Sequence, residues 1–328
     1  MANLTTQYMG LKLDSPIIAG SSGMTDKPEK IKKLAEAGAG AVVLKSLFEE
    51  QINMEVDSQA VNNMYGNYDD VENYVSFYTR KHNLDAYLKL IKDTKAAVDI
   101  PVIASINCIS AGEWTDFAKK IENAGADGLE LNIFVLPSDP EQEADKLVKN
   151  YHQIVQEVSN ACDLPLAVKT SYYFTSLSRR MVKLSNEPQV KALVLFNRFY
   201  NPDVDLDKEE VKSGHIYSVP EENAMCLRWV GALYGKVGSD LAASHGIHDG
   251  EAVLKNLLIG ASAVQIASVL YKEGPDEIKS MLNTINAWMD KKGYEKLADI
   301  IGKLAQSNIK RPMIYERAQF MKYYSEHR

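Results

Sequence analysis

Short apolar segments recur along the chain, and most are followed by a stretch whose apolar residues have helical spacing. The apolar segments are rich in Val, Ile and Leu and nearly continuous in apolar character, which is typical of strands that a parallel sheet buries on both faces. Eight such segments predict strands: Pro16–Ala19, Ala41–Lys45, Val102–Ile106, Gly128–Ile133, Leu166–Thr170, Ala192–Phe196, Asp240–Ser244 and Ala263–Ala267.

The stretches between these strands predict helices. Apolar residues recur every three or four positions in Pro28–Ala37 and in Ala86–Val98. Asp249 precedes a third stretch of this kind, where an aspartate is a favourable N-cap. Glycine follows several of the helical stretches, as at Gly125 and Gly260, which predicts a sharp helix end and a direct turn into the next strand.

Eight alternating strand–helix units predict an α/β protein with the (β/α)8 TIM-barrel fold, and a doubly wound sheet is the alternative. Segments 46–81 and 197–223 exceed the minimal repeat and predict long loops over the C-terminal mouth of the barrel. The first of these segments is open to a second interpretation, as a packing subdomain or dimer surface. Residues 305–328 predict a C-terminal helical extension. Because no linker interrupts the pattern, we expect one domain over residues 1–328.

Composition and charge narrow the classes of function. The 328 residues carry a formal net charge of −7 without a dominant Lys/Arg run, which argues against a nucleic-acid-binding surface. The apolar runs are far shorter than a membrane span, and no targeting segment is visible. The cysteines Cys108, Cys162 and Cys226 form no Cys-x-x-Cys pair for zinc or an iron–sulfur cluster. We therefore expect a cytoplasmic protein without a metal site.

In a TIM barrel the chemistry lies at the carboxyl ends of the strands. Lys45, Asn132, Lys169 and Asn197 each lie at the end of a different predicted strand, so they are expected to converge on one mouth. Burying ammonium groups is costly without anionic or polar partners. A flavin offers such partners, because its N1–C2=O edge gains negative charge on reduction. The strand ends therefore predict a flavin site.

The last two strands predict a phosphate site. Many TIM barrels bind phosphate with the loops that follow strands seven and eight. His245-Gly246 follows the seventh predicted strand, and Ala267-Ser268 ends the eighth. Small residues let backbone N–H groups approach phosphate oxygens closely. The alternative is that Gly246 only forms a turn.

The order and spacing of these phrases resemble the dihydroorotate dehydrogenase family, in its soluble class, over about residues 4–304. The matching phrases are Ser21-Ser22-Gly23, Lys45-Ser46, Glu130-Leu131-Asn132, Val168-Lys169, Asn197, His245-Gly246-Ile247, Gly260–Ile266 and Tyr271–Pro275.

The resemblance implies FMN as the cofactor. It places Lys169 at the N1–C2=O edge of the flavin, and Lys45 and Asn132 near both flavin and substrate. The implied partners are dihydroorotate or a related cyclic amide, a soluble electron acceptor, and a second copy of the chain in a homodimer. The implied cofactor-binding residues are Ser21, Ser22, Gly23, Lys45, Ser46, Asn132, Lys169, Asn197, His245, Gly246, Ala267 and Ser268.

The loop after the fourth strand departs from the family pattern. In the soluble class a cysteine in this loop removes a proton from the substrate, whereas this chain has Val135 at that position, and valine cannot accept a proton. Cys108 is the substitute candidate for the base and joins Lys45 and Asn132 as a predicted catalytic residue, although a buried small hydrophobe is the alternative interpretation. Further candidates are Ser138, Tyr172 and His215.

One further candidate residue and one further departure from the family pattern remain. Arg198 follows Asn197, and it is interpreted either as a clamp for a carboxylate or as a surface ion-pair partner. The glycine-rich stretch that the family carries before strand seven is replaced by Glu222–Arg228.

The expected activity is oxidation of dihydroorotate, in which a base takes a proton from C5 while hydride leaves C6 for flavin N5. Three alternatives remain open from the residues. One is a flavoprotein reductase that acts on another cyclic amide or ene substrate. Another is a Schiff-base lyase with Lys169 or Lys45 as nucleophile. The third is a non-catalytic paralogue that binds FMN.

Overall fold

A computed structural model describes residues 2–48, 84–107, 114–133, 135–199 and 201–316. Its strands are β1 (Thr6–Tyr8), β2 (Leu11–Leu13), β3 (Ile17–Ala19), β4 (Ala41–Val43), β5 (Leu47–Phe48), β6 (Val102–Asn107), β7 (Gly128–Asn132), β8 (Leu166–Thr170), β9 (Val190–Leu195), β10 (Pro202–Asp205), β11 (Glu210–Ser213), β12 (Asp240–Ser244) and β13 (Ala263–Ile266).

The α-helices are α1 (Pro28–Glu36), α2 (84–97), α3 (Trp114–Asn123), α4 (Ala144–Ala161), α5 (Leu177–Ser185), α6 (Asn223–Leu233), α7 (Gly250–Ile259), α8 (Ser268–Glu273) and α9 (Glu277–Lys292). Short 3₁₀ helices are Pro220–Glu222, Leu297–Asp299 and Pro312–Tyr315.

Eight parallel strands close into a barrel in the order β3, β4, β6, β7, β8, β9, β12 and β13. The last strand, β13, pairs with the first, so the ring is complete. A doubly wound sheet has two unpaired edges, and that alternative is therefore wrong. The closed ring confirms the predicted TIM barrel and brings the carboxyl ends of all eight strands to one mouth.

The strand and helix bounds agree closely with the sequence pattern. Leu166–Thr170 and Asp240–Ser244 are strands with the predicted limits, and the other barrel strands differ by one or two residues at an end. The predicted N-cap is also present, since the Asp249 carboxylate accepts a hydrogen bond of 2.7 Å from Ala252 N.

An antiparallel hairpin of β1 and β2, which the sequence pattern did not predict, covers the base of the barrel. Tyr8, Met9 and Leu13 are buried and pack with small and branched residues of the barrel strands such as Ile18 and Ala167. The backbone N–H of Met9 donates to Asp240 Oδ2 over 2.9 Å, at the start of β12. The hairpin therefore seals the end of the barrel opposite the mouth.

Side chains alternate between the barrel interior and the helix layer along each strand. On β6, Val102, Ala104 and Ile106 pack in the core that includes the helices, whereas Ile103 packs in the interior core. The same alternation turns Ser105 and Asn107 inward. Apolar side chains thus fill the lower interior, and polar side chains occupy the interior nearer the mouth.

The extra segments differ in how far the structure describes them. Segment 197–223 contains the antiparallel hairpin of β10 and β11 and then a chain that returns across the mouth to α6. Most of segment 46–81 lies outside the described residues. The described part of the C-terminal extension, 305–316, consists of turns and one 3₁₀ helix, so its predicted α-helical character is absent there.

Candidate active site

A buried polar network occupies the barrel interior below the mouth. The Lys169 ammonium donates to Gln265 Oε1 over 2.9 Å and lies 3.7 Å from Glu130 Oε1. Gln265 Nε2 in turn donates to the second Glu130 oxygen. The Glu130 side chain is 1% exposed and the Lys169 side chain 13%. The Glu130 carboxylate therefore provides a counter-charge beside the Lys169 ammonium in the interior.

Sequence reasoning had assigned the polar partner of Lys169 to a ligand alone. Glu130 and Gln265 were both present in the family-like phrases, two residues before Asn132 and near the end of the last strand. Their inward direction follows from the alternation along β7 and β13, which is the signal that would have placed them beside Lys169.

Two asparagines at neighbouring strand ends present unpartnered oxygens. Asn107 pairs in register with Asn132, and Asn132 pairs in register with Lys169. The Oδ1 atoms of both asparagines are buried, and no described residue offers them a hydrogen bond. A buried amide oxygen without a donor costs about 1–3 kcal/mol, so this part of the mouth suits a ligand with N–H groups. Asn107 was not among the predicted site residues, although it directly follows a predicted strand and ends β6 in the structure.

Asn197, by contrast, is bonded to the protein itself. Its Nδ2 donates to Lys169 O over 3.2 Å and to Ile133 O over 3.4 Å, and its backbone N–H donates to Thr170 O. The side chain is buried and ties the ends of β7 and β8 to the loop after β9. Asn197 therefore shapes the mouth, in addition to lining it.

Hydroxyl groups connect the first three barrel strands near the mouth. Ser21 Oγ lies 2.9 Å from Ser46 Oγ, which lies 2.8 Å from Ser105 Oγ. The backbone N–H of Ser105 donates to the buried Tyr87 hydroxyl over 2.7 Å. This chain of hydrogen bonds fixes the loop after β3 against the loop after β4.

A cavity of about 460 Å³ opens at the mouth between the loops after β3, β12 and β13, a size that small-molecule sites commonly have. Most of the predicted cofactor-binding residues line it: Ser21, Ser22, Lys169, Asn197, His245, Gly246, Ala267 and Ser268.

The remaining predicted residues lie around this cavity. Ser46 is bonded to Ser21, and Gly23 donates its backbone N–H to the Tyr271 hydroxyl, whose ring lines the cavity. Asn132 is the neighbour of Lys169 in the sheet. Lys45 is exposed at the mouth and does not line the cavity.

The loop after β12 has an unusual backbone. His245 has φ +111° and Gly246 has φ +61°. A Cβ atom on Gly246 would lie 2.4 Å from Asn223 N, so only glycine fits between this loop and α6. The Asn223 side chain donates to His245 O over 3.0 Å. The start of α6 therefore fixes the shape of this loop.

Segment 215–218, which we name the strap, covers one side of the cavity. Arg198 holds it by donating to His215 O and Ile216 O, each over 2.9 Å. The same guanidinium binds both oxygens of Glu222, at 2.9 and 3.1 Å. Of the two interpretations of Arg198, the structure thus shows an ion pair, and the carboxylate it clamps belongs to the protein.

The far end of the strap is fixed by residues beside the loop after β13. Ser218 N donates to Ser268 Oγ over 3.0 Å, and Ser218 Oγ lies 3.0 Å from His248 Nε2. Lys272 Nζ donates to Ser218 O over 3.2 Å. Burial and the Lys272 charge lower the pKa of His248.

The candidate bases are scattered. Cys108 lies outside the described residues, so its predicted role stays a prediction. Val135 is half-buried and packs against the main core, while Ser138 and His215 are exposed. The pKa of Tyr172 is raised to about 12, mainly by a hydrogen bond of 3.2 Å to Tyr173 and secondly by burial. This phenol therefore stays protonated at neutral pH.

Two further properties concern the described residues as a whole. Within them, no helix combines the length and apolar character that crossing a membrane requires. Among the described residues, no three side chains of His, Cys, Asp or Glu are grouped so that they could hold a metal ion.

The fold and site define a TIM-barrel protein with a polar ligand pocket at the mouth, between the loops after its first, seventh and eighth strands. The family model of dihydroorotate dehydrogenase matches residues 3–289. The chain belongs to the dihydroorotate dehydrogenase family.

Its relatives include enzymes named for different electron acceptors. The catalytic subunit of dihydroorotate dehydrogenase B (NAD(+)) from Thermoplasma volcanium is 24% identical, with 92% of this chain and 98% of the relative covered. Dihydroorotate dehydrogenase A (fumarate) from Lactococcus lactis subsp. lactis is 26% identical, with 92% and 99% covered. A putative dihydroorotate dehydrogenase A (fumarate) from Aeropyrum pernix is 24% identical, with 91% and 96% covered.

Proposed function

We propose that the protein is an FMN-dependent oxidoreductase that oxidises dihydroorotate or a related dihydropyrimidine. The observation that carries this proposal is the position of Lys169, held by Glu130 and Gln265 at the floor of a cavity whose other walls are the loops after β12 and β13. This arrangement provides a cation for the flavin edge and a separate cradle for its phosphate.

The residues present fit FMN. The cavity volume is suitable, and His245, which lines it, has a buried Nε2 without a hydrogen-bond partner among the described residues. Beside Lys169 in the sheet, the buried Oδ1 of Asn132 likewise has no partner in this part of the chain. In this proposal Lys169 holds the N1–C2=O edge, and the backbones of Gly246 and Ser268 hold the phosphate. When bound, FMN supplies the hydride acceptor that the protein side chains lack.

The protein's own contribution is orientation and charge. Glu130 and Gln265 fix the Lys169 ammonium in one place, so it needs no rearrangement when negative charge develops near it. Asn132 and Asn107 present amide groups that suit the N–H and C=O groups of a cyclic amide. The strap limits the access of water to the phosphate side of the cavity.

The loop after β7 lacks the residue that, in the family, accepts the proton from the substrate. Val135 cannot accept it, and Cys108 stays our prediction for the base. This observation favours a second candidate function, in which the protein is a flavoprotein reductase of another cyclic amide or ene substrate. Reduction of such a substrate adds a proton instead of removing one, so it needs a proton donor, either water or a side chain elsewhere at the mouth, because Val135 cannot supply the proton.

The proposed setting is a soluble homodimer in the cytoplasm that passes electrons to a soluble acceptor. The relatives named for fumarate and NAD(+) support a soluble acceptor, since both are soluble small molecules. The mass of the native protein in solution tests the dimer independently of the activity.

The visible spectrum of the purified protein, before and after anaerobic addition of dihydroorotate, tests the function. We expect a flavin spectrum that bleaches. A flavin spectrum that stays oxidised would contradict dihydroorotate as the substrate and favour the second candidate. A colourless protein that does not take up added FMN would overturn the proposal, and trapping by borohydride would then reveal a Schiff-base lysine.

A further inference from the structure

We infer that the side chain of His245, in addition to the backbone of its loop, binds the cofactor through a hydrogen bond between Nε2 and an oxygen on the ribityl-phosphate chain. This inference rests on the proposed FMN binding. It assigns a direct ligand contact to the imidazole Nε2, for which the described residues provide no hydrogen-bond partner.

The backbone of His245 is the first reason. Its φ of +111° lies in a region that L side chains rarely adopt, and glycine adopts it without strain. Gly246, the next residue, also has a positive φ. A glycine at position 245 would therefore form this turn more easily than histidine does. A strained residue that persists beside a ligand pocket suggests that its side chain has a function there.

The position of the imidazole is the second reason. Nε2 is buried and has no hydrogen-bond partner among the described residues, which is unfavourable unless a ligand supplies one. His245 lines the 460 Å³ cavity and also a neighbouring cavity of about 280 Å³. Arg198 lines both cavities as well, and Glu222 lines the smaller one. The imidazole is thus part of the wall between them, beside the loop proposed to hold the phosphate.

The protonation state of the imidazole agrees with this role. Burial, and after it the positive charge of Lys169, lower the pKa of His245 to about 4. The charge of Glu222 raises the pKa of His245, and the charge of Arg198 lowers it. At neutral pH the ring therefore carries one N–H donor and one acceptor nitrogen. A neutral ring can donate to a phosphate oxygen or pair with a ribityl hydroxyl without adding a buried charge.

The decisive variant is His245→Gly in the full-length protein, studied with and without FMN. Without flavin, the thermal midpoint should rise by about 2–4 °C because the strained backbone relaxes. The dissociation constant for FMN, measured from quenching of flavin fluorescence, should rise about tenfold or more because a ligand contact is lost. Higher stability together with weaker cofactor binding would show that the strained backbone of His245 is retained because its side chain contacts the cofactor.

Glu209→Gly is the matched control, since Glu209 has φ +53° and lies exposed in the turn between β10 and β11. It should relieve strain in the same way and leave FMN affinity unchanged. His245→Asn, which tolerates positive φ and keeps a short polar group, should bind FMN with an affinity between those of wild type and His245→Gly.

Repeating the titrations with riboflavin locates the contact. A loss of affinity for FMN alone places it on the phosphate, and an equal loss for riboflavin places it on a ribityl hydroxyl. Unchanged FMN affinity in His245→Gly, or a lower thermal midpoint of the flavin-free variant, would overturn the inference and make the imidazole a packing residue. If wild type itself bound no FMN, the proposed function would fail first, so the two failures are distinguishable.

Discussion

The two sides of the barrel mouth differ in how much of a family-like site they keep. On the side of β8, β12 and β13, Lys169, Gly246 and Ser268 line one cavity and are tied to neighbouring residues. On the side of β7, the loop has Val135 where the family has its base. The first side suits a cofactor, and the second is where a substrate would lose its proton. Under the proposed function, cofactor binding and the choice of substrate therefore depend on different sides of the mouth.

The two sides also differ in burial. The Lys169 network is nearly enclosed, with Glu130 only 1% exposed. The loop from 136 to 143 is exposed throughout and carries Asp139, Glu141 and Glu143 without a basic residue. An exposed loop tolerates substitution far better than a buried charged network, because little packing depends on it. Substrate chemistry is thus the part of the site that can change at low cost to stability.

Val135→Cys is the change with the largest expected effect, since it offers the missing proton acceptor on the altered side. If dihydroorotate binds, anaerobic reduction of the flavin by dihydroorotate should become roughly 100-fold faster, which is the lower range for general base catalysis. Stopped-flow absorbance in the flavin band measures this rate. Val135→Ala is the control that changes volume without adding a thiol, and it should give no gain.

An equal rate in Val135→Cys and wild type would contradict this view of the β7 side. It would mean either that another residue already takes the proton or that the substrate does not bind. The wild-type rate separates these cases, because a substrate that does not bind reduces the flavin in neither protein, whereas an existing base gives equal reduction in both.

The sequence predicted the scaffold well because the barrel signal is repeated and local. Each strand is a short run of Val, Ile and Leu followed by a helical pattern, so an error in one unit does not alter the topology. The position of Lys169 followed from the same logic, as a polar residue near the end of an otherwise apolar strand. Asp249 was recognisable as an N-cap because capping depends on neighbouring residues only.

The contacts that sequence reasoning missed are between residues far apart in the chain. Glu130 and Gln265 meet Lys169 across the barrel, and their pairing depends on strand register that no local pattern shows. Lys45 was expected at a strand end, like Lys169. Its side chain is exposed instead, because β4 ends at Val43, two residues before Lys45. The hairpin of β1 and β2 was missed because each strand has only three residues.

Lys169→Ala tests whether the buried network of Lys169, Glu130 and Gln265 stabilises the β8, β12 and β13 side of the mouth. Removing the ammonium leaves the Glu130 carboxylate in the interior without its cation, so the free energy of unfolding should fall by about 3 kcal/mol. Chemical denaturation of the flavin-free protein measures this change. The purified variant should also contain much less FMN than wild type.

A double variant separates the two effects. Lys169→Met with Glu130→Gln removes both charges and should recover most of the stability while FMN content stays low. Lys89→Ala, at an exposed helix pair with Asp93, should change stability by no more than about 0.5 kcal/mol. If the double variant bound FMN as well as wild type, the role of Lys169 at the flavin edge would be refuted.

Gly246→Ala tests how closely the loop after β12 is packed, and its expected effect is smaller. The new methyl group would lie 2.4 Å from Asn223 N and 2.8 Å from Val219 O, at a φ of +61°. Overpacking and backbone strain together should lower stability by about 2–3 kcal/mol.

Gly274→Ala is the matched control for that substitution. Gly274 has φ +84°, but a methyl group added there would have no heavy atom within 4 Å, so only the backbone strain applies, about 1 kcal/mol. Thermal unfolding of both variants measures the difference. Equal losses would show that α6 yields to the extra methyl group, and that the loop after β12 is not held by close packing.

Arg198→Ala has the smallest expected effect and tests the strap alone. The arginine holds His215 and Ile216 by their carbonyls, but the other end of the strap stays fixed by Ser268, His248 and Lys272. The strap should loosen without unfolding, and FMN should dissociate about tenfold faster, equivalent to about 1.4 kcal/mol. The release of flavin fluorescence on dilution measures this rate.

Arg228→Ala is the control for the loss of an arginine, because Arg228 donates to Tyr315 O over 2.7 Å on the outer surface, away from the cofactor cavity. It should leave the dissociation rate unchanged. Arg198→Lys keeps the charge but cannot bind Glu222 with two parallel hydrogen bonds, so its rate should fall between wild type and Arg198→Ala. A rate in Arg198→Ala equal to that of wild type would mean that the loops after β12 and β13 retain FMN without the strap. The cofactor side of the mouth would then consist of the barrel strands and their loops only, and segment 197–223 would be free to vary as the loop after β7 has done.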